Sequence, residues 1–273
     1  MTPHVSARRR SGGFALLIVL WTLVLIAFLV AHLTASGHGE AQIAENLAAN
    51  AVAQAAADGA IAEAIFHFTD PRPELRWPLD GSWHEVAIGN SRVAVRLEDE
   101  AARVNPNRAP PALLQALLVA AGSDEETARQ LATAIGEWVG AVPNMPPSAL
   151  LAEYRAAGRD YGPPGTPLES LDELRRVLGM TPALFAAIRP HLTLFGPPVP
   201  DIAHADPVVA AALARFSRSR SPPPVAPEAV RLARITALAS GPGKARAMRA
   251  AVVTTGLGLP GGYLLLAFGS RVD

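Results

Sequence analysis

The sequence predicts an α+β chain: a long N-terminal helix followed by an antiparallel sheet that a large all-helical block interrupts. Three observations carry that expectation. An uncharged apolar run near the N-terminus passes without a proline into an alanine-rich stretch with helical spacing. Short segments with apolar residues at alternate positions occur in two groups far apart in the chain. The segment between those groups has the caps and the periodicity of helices.

The apolar run is "FALLIVLWTLVLIAFLVAHL", residues 14–33, whose one titratable group is His32. Twenty helical residues match a hydrocarbon core of about 30 Å, so this run can span a membrane. Arg8, Arg9 and Arg10 precede it and the first acidic residue is Glu40, which by the positive-inside rule puts the N-terminus in the cytoplasm and everything after Leu33 outside. A secretory signal has a shorter apolar region with its small-residue cleavage site on the far side. Here the small pair, Gly12 and Gly13, stands on the near side, as in type IV prepilin-like signals. Cleavage between Gly13 and Phe14 would remove a charged leader, residues 1–13, and leave the helix attached. The alternative is a plain single-pass anchor with an uncleaved start.

Beyond the bilayer, "GEAQIAENLAANAVAQAAADGAIAEAIFHF" keeps helical spacing to about Phe68, and the prolines of "TDPRPELRWPLDG" end it. In "SWHEVAIGNSRVAVRLEDE", Val86 and Ile88, then Val93, Val95 and Leu97, alternate around Gly89-Asn90, which predicts a hairpin. Three further strands are expected in "EAVRLARITALAS", "KARAMRAAVVTTG" and "GYLLLAFGSRVD", separated by "GPG" and "GLPGG".

Between the strand groups, "APPALLQALLVAAG" opens on prolines and closes on Gly122, and "SDEETARQLATAIGEWVG" opens on a capping box from Ser123 to Glu126. In "LESLDELRRVLGMTPALFAAIRPHLTLFG" two short helices bend at Gly179-Met180, the second capped by Thr181 with Pro182 as its first residue. "GAVPNMPPS" and "GRDYGPPGTP" are expected as linkers within the block, and the proline-rich stretch after it as a linker to the last strands.

Composition excludes several function classes. With 24 basic and 24 acidic residues the formal net charge is zero, so no overall field attracts nucleic acid. There is no cysteine, hence no disulfide, no thiolate metal site and no cysteine nucleophile. The seven histidines include no pair at helical metal spacing, and neither a serine elbow nor a phosphate-binding glycine loop is present. No catalytic residue is expected and the chain does not read as an enzyme. The bend at Gly179 resembles a helix-hairpin-helix of DNA-binding proteins but lacks the second glycine and a basic surround, so a membrane-anchored DNA-binding protein is kept only as an alternative, beside a generic single-pass periplasmic scaffold.

Taken in order and spacing, "GFALLIVLW", "LEDEAARVNPNRAPPALLQALL", "AIGEWVG" and "PLESLDELRRVLGMTPALFAAIRPHLTLFG" make the whole chain resemble the K-type minor pseudopilins of type II secretion systems, the general secretion pathway protein K family. The resemblance implies a pilin-like helix packed on a small antiparallel sheet with the helical domain inserted between its strands. The implied division is residues 1–13 leader, 14–35 transmembrane helix, 36–104 periplasmic helix and first strands, 105–196 inserted helical domain, 197–228 linker and 229–273 last strands. It further implies processing by prepilin peptidase at Gly13 and N-methylation of Phe14. Ile18 stands at the fifth mature position, where most prepilins have a glutamate and this type does not.

The resemblance implies a single-pass protein of the bacterial inner membrane, the bulk of its chain in the periplasm, at the tip of a pseudopilus. There it primes assembly for the export of folded proteins across the outer membrane, with I-type and J-type minor pseudopilins, the major pseudopilin and the inner-membrane assembly platform as partners and no nucleic acid. The family's calcium motif, Asp-Trp-x-Asp-x-Asp, is reduced here to Glu137 before Trp138, with Glu153, Asp160 and Glu169 as remaining oxygen donors, so calcium is possible but no cofactor is assigned. The alanine-rich helix is expected to be the surface for partner helices, with Ala53 and Ala57 as contact positions.

Overall fold

The computed structural model describes residues 12–141, 147–218, 230–256, 258–270 and 272. Contacts divide the chain into two units, Met1–Val52 and Ala53–Asp273. One helix, α1 (Gly12–Thr69), belongs to both. No proline falls between Pro3 and Pro71, and the residues between are dominated by alanine and leucine, so nothing breaks the hydrogen-bond ladder.

In the first unit, the described side chains of α1 are almost all exposed, including every one from Phe14 to His32. A hydroxyl within this apolar stretch is satisfied locally: Thr22 Oγ1 donates to the Val19 carbonyl at 2.9 Å.

In the second unit, residues 53–69 of α1 cover a five-stranded antiparallel sheet of order β1-β2-β3-β4-β5. The strands are β1 (Asp80–Ile88), β2 (Ser91–Asp99), β3 (Leu232–Ser240), β4 (Arg246–Thr255) and β5 (Tyr263–Gly269). Alternation places Val93, Val95 and Leu97 of β2, Ala233, Ile235 and Ala237 of β3, and Ala251 and Val253 of β4 on the helix side. Facing them from α1 are Ala56, Ala57, Ala60, Ile61, Ala64 and Phe68, spaced three or four apart. Small side chains let the helix backbone approach the sheet, and Phe68 fills the end where the helix stops. That stop is secured three ways. Thr69 Oγ1 donates to the Ile65 carbonyl at 2.8 Å, Arg231 of the segment entering β3 donates to the Phe68 carbonyl at 2.9 Å, and Pro71 forbids a further turn.

The hairpin β1–β2 closes at Ile88↔Ser91 around Gly89, whose φ of +57° suits a tight turn. The next connection, from β2 to β3, is the long one. Register continues to Asp99↔Ala233, so the segment leaving β2 and the segment entering β3 stand side by side, and everything between them is an excursion from neighbouring strands.

That excursion holds α2 (Pro111–Ala120), α3 (Glu125–Trp138), α4 (Pro147–Ala156), a 3-10 segment Leu171–Arg176, α5 (Pro182–Ile188) and α6 (Pro207–Ser217). Its core, with Leu113, Leu117, Leu131, Ile135, Trp138, Tyr154, Leu174, Phe185 and Leu213, shares no residue with the core between α1 and the sheet. Both lie within the second unit.

Four expectations change. The cap of α3 is Asp124, not Ser123: Asp124 Oδ1 accepts from the Thr127 amide at 2.9 Å, while the Glu126 side chain turns to Arg129 and Gln130. A carboxylate at the positive end of a helix outcompetes the neighbouring hydroxyl. The first of the two short helices is 3-10, and the reciprocal capping box belongs to it, between Ser170 and Glu173. "GAVPNMPPS" is not all linker, because Pro147 starts α4. The span 197–228, expected to be a linker, contains α6, capped by Asp206 and packed into the helical core by Val209, Ala212, Leu213 and Phe216. Those four recur at helical spacing, a signal masked by the prolines on either side.

Candidate assembly surfaces

Phe14 to His32 forms a 19-residue apolar stretch of mean hydropathy 3.0 with no side chain buried, about 28 Å long at 1.5 Å per residue. That length and composition suit a bilayer. Gly13 lies in the first turn of α1, Phe14 is 74% exposed and Ile18, one turn on, is 48% exposed. Residues 1–11, which include Arg8, Arg9 and Arg10, lie outside the described residues. Ile18 leaves no carboxylate in this part of the apolar helix, where an unpaired charge would be expensive.

Past the apolar run α1 keeps exposed apolar side chains at Ile43, Leu47 and Val52 in the first unit, and Phe66 in the second. The two alanines expected to contact partners do not. Ala53 and Ala57 are both 0% exposed, and Ala57 is packed into the core beneath the sheet. With alanine almost all round, the helix offers no sequence signal for which side turns inward.

Where β2 leaves the sheet, Glu100 is 0% exposed and its carboxylate joins three segments. Oε1 accepts from Thr193 Oγ1 at 2.5 Å and from Arg234 Nη2 at 2.5 Å, Oε2 accepts from Arg234 Nε at 2.7 Å, and Arg103 Nη1 is 3.7 Å away. Arg234 Nη1 also donates to the Val272 carbonyl. The pair is a bidentate Arg–carboxylate clasp between the entry and exit strands of the helical excursion, with Thr193 as third contact from the excursion itself.

Two asparagines extend it. Asn105 Nδ2 donates to the carbonyls of Leu194 and Gly196 at 3.0 and 2.9 Å, and Asn107 exchanges hydrogen bonds with Leu168 at 2.7 and 3.0 Å. A Cβ at Gly196 would stand 2.9 Å from Thr193 Cγ2 and 3.1 Å from the Arg103 carbonyl, so glycine is needed for the close approach. These contacts tie "VNPN" to "LTLFG" across about ninety positions of the chain. Beside the clasp a cleft of about 630 Å³ is lined by Arg96, Glu98, Arg103, Arg189, His191 and His204 among others. Its polar groups are paired: Arg103 Nη2 is 3.4 Å from Glu98, His191 Nδ1 2.7 Å from Asp206 and His204 Nδ1 2.9 Å from Asp99.

The acidic positions considered for calcium do not assemble into a cation site. Glu137 is half-buried, and burial, with the charge of Glu153 second, raises its carboxyl above the ordinary value. Trp138, Tyr154 and Tyr161 pack with ring centroids 6.0 to 6.3 Å apart, and the Tyr154 hydroxyl accepts from the Leu178 amide at 3.0 Å. Glu153, Asp160 and Glu169 are exposed, and among the described residues no three acidic or histidine groups converge. Calcium takes six to eight oxygens, so these residues do not fit it.

At the bend that resembles a helix-hairpin-helix, Gly179 has φ +85° and the Thr181 hydroxyl accepts from the Leu184 amide at 3.2 Å. One of the amides that would meet a phosphate is thereby occupied.

Comparison with known proteins places this geometry. The family described as type II secretion system (T2SS), protein K, matches residues 93–198, from within β2 to the loop before α6. The fold is similar to a chain in the crystal structure of the GspK-GspI-GspJ complex from the enterotoxigenic Escherichia coli type 2 secretion system, with a TM-score of 0.52 and 15% sequence identity, covering 85% of this chain and 98% of that one. No curated protein sequence matches the chain.

Proposed function

We propose, on the premise that this chain is a minor pseudopilin of type II secretion of the protein K family, that it is a processed tip subunit of the periplasmic pseudopilus. In this reading the chain crosses the inner membrane once, with its N-terminus in the cytoplasm. Prepilin peptidase cuts after Gly13, and Phe14 becomes the N-methylated first residue. The subunit joins I-type and J-type minor pseudopilins, as named in the similar complex. It primes addition of the major pseudopilin on the inner-membrane assembly platform, and it performs no chemistry of its own.

The observation that carries the reading is a coincidence in one chain. A bilayer-length apolar stretch belongs to the same helix that covers the sheet, and the K-family segment occupies the β2–β3 connection. Three features support the separate parts. The apolar stretch supports anchoring in a membrane. Ile18 supports the top position, since a subunit with no neighbour above it has no amine there for a carboxylate to pair with. The bulk of the excursion, with a core of its own held to the sheet at Glu100, supports a role in which further subunits are kept from stacking on this one.

The test is the mass of the full chain extracted from the inner membrane of a cell with an intact secretion system. The expected N-terminus is methylated Phe14. A chain still starting at any of residues 1 to 12 rejects processing and favours a plain single-pass anchor.

A further inference from the structure

The two margins of the sheet are built differently. At the β1 margin the strand carries Asp80, His84 and Glu85, and its register with β2 slips between Asp80 and Trp83. A register slip occurs at both margins, so it is the charges that set this one apart, a device by which a sheet edge avoids pairing with another chain. At the β5 margin no charge is present. Tyr263, Leu264, Leu265, Leu266 and Phe268 are 38 to 49% exposed, and the slip opposite Val252 and Val253 is its one irregularity. Among the described residues, β5 pairs with β4 and no backbone hydrogen bond leaves its outer side.

Charge near this margin has one sign. From residue 241 to 270 the chain contains Lys244, Arg246 and Arg249 and no acidic residue. Arg249 is engaged, by Asp58 at 2.6 Å and by the Phe268 ring at 4.4 Å. Lys244 and Arg246 are exposed and make no ion pair among the described residues. Pairing of β4 with β5 starts at Ala250↔Gly269, so Arg246 lies on the part of β4 that runs past the end of β5. The carbonyl of Val272 is held by Arg234 of β3, away from this margin.

We propose that β5 is the docking edge for one strand of a partner pseudopilin: an uncharged apolar strand that carries a carboxylate near the end that meets Lys244 and Arg246. The proposal rests on the reading of this chain as a pseudopilin. Main-chain hydrogen bonds to β5 supply the pairing, the apolar side chains on both faces of the edge are covered, and the basic pair sets direction and register. A second copy of this chain answers the basic pair poorly: its β4–β5 segment has no carboxylate to offer, and its β1 margin, where Asp80 and Glu85 stand, is the guarded one. The guarded β1 margin limits the sheet to one added neighbour, so edge pairing ends in a closed assembly rather than a fibre.

The experiment takes the full chain in detergent with the I-type and J-type minor pseudopilins of the same organism and reads amide hydrogen exchange across β5, free and in complex. The expected result is slowing by about tenfold or more for outward amides between Tyr263 and Gly269 on complex formation. Leu264→Lys with Leu266→Lys should weaken the complex by about tenfold, and Arg246→Glu by about threefold, with melting temperatures unchanged because these side chains are exposed. Leu238→Lys, exposed on β3 away from the edge, should bind as the unaltered chain does. A complex that forms while β5 exchanges as in the free chain, or that tolerates the double lysine variant, overturns strand addition and leaves the pseudopilin reading standing. Failure of the unaltered chain to bind either partner overturns both. Concentration-dependent protection of β5 without partners assigns the edge to a second copy and overturns the partner proposed here.

Discussion

Replacing Glu100 by glutamine tests whether the clasp at the root of the helical excursion holds the fold together. The substitution keeps the side chain's shape and one acceptor oxygen but removes a charge from a site with no solvent exposure. Arg234, whose side chain is 12% exposed, then loses its bidentate partner and retains the Val272 carbonyl, while Arg103 keeps Glu98 at 3.4 Å. Removing one member of a buried ion pair costs about 3 to 5 kcal/mol, chiefly because the other charge stays buried without compensation. The retained oxygen can still accept from Thr193, which puts the expectation at the lower end, about 3 kcal/mol. For a unit of this size that corresponds to a fall in melting temperature of about 6 to 12 °C. Urea unfolding followed by circular dichroism gives the free energy, and a double-mutant cycle with Arg234→Met isolates the pair. The coupling should be at least about 1.5 kcal/mol and should change little between low and high salt, since buried pairs are weakly screened. A loss under about 1 kcal/mol, or a coupling near zero, would show that the clasp contributes nothing to holding the excursion against the sheet.

Ala57→Glu should lower stability by several kcal/mol on the same unfolding assay, because the new carboxylate would be buried under the sheet, whereas Phe66→Glu should stay within about 0.5 kcal/mol. Gly140→Ala should cost about 2 kcal/mol or more in the same titration, since φ is +72° and a Cβ would collide with the Gly165 carbonyl oxygen. The Asp70 carboxyl is held below its ordinary value, first by the hydrogen bond from the Arg72 side chain and then by the Arg72 amide. Its stabilising contribution is therefore present above the unfolded value of about 3.9 and is lost as pH falls through the folded one, so Asp70→Asn should flatten the acid limb of melting temperature against pH. Glu137 has the opposite sign, with a folded value raised by burial, so it favours the fold at low pH and opposes it once ionised. Glu137→Gln should raise the melting temperature at pH 7 and leave it nearly unchanged at pH 4.

Much of the fold was legible because local rules decide it. The apolar run, the five strands, the hairpin at Gly89 and the Thr181 cap of α5 all follow from periodicity, turn chemistry or capping within a few residues. Where local signals competed, reading failed by small steps, as when Asp124 took the cap expected of Ser123. The failures at α4 and α6 have a common cause. Each opens on a proline, which fits the first turn of a helix as well as it fits a linker, and only the packing of Tyr154 from α4 and of Leu213 and Phe216 from α6 into the helical core distinguishes the two.

The surfaces were less legible than the elements. "LEDE" reads as an exposed acidic end of a strand, and nothing within it marks Glu100 as buried, because its partner Arg234 lies 134 positions along the chain. "YLLLAFG" reads as a strand suited to a core, and its place at the margin follows from the order of strands in the sheet.

By itself the sequence determined the membrane-length run, the positions of the strands and of the helices other than α6, and the absence of cysteine chemistry, since each depends on neighbouring residues or on composition. The tertiary structure alone decided which side of the alanine helix is covered, which acid is buried and which strand is left at the edge. A helix with small apolar residues all round has no preferred face until a sheet covers one. A carboxylate can leave water only when a distant guanidinium arrives to meet it.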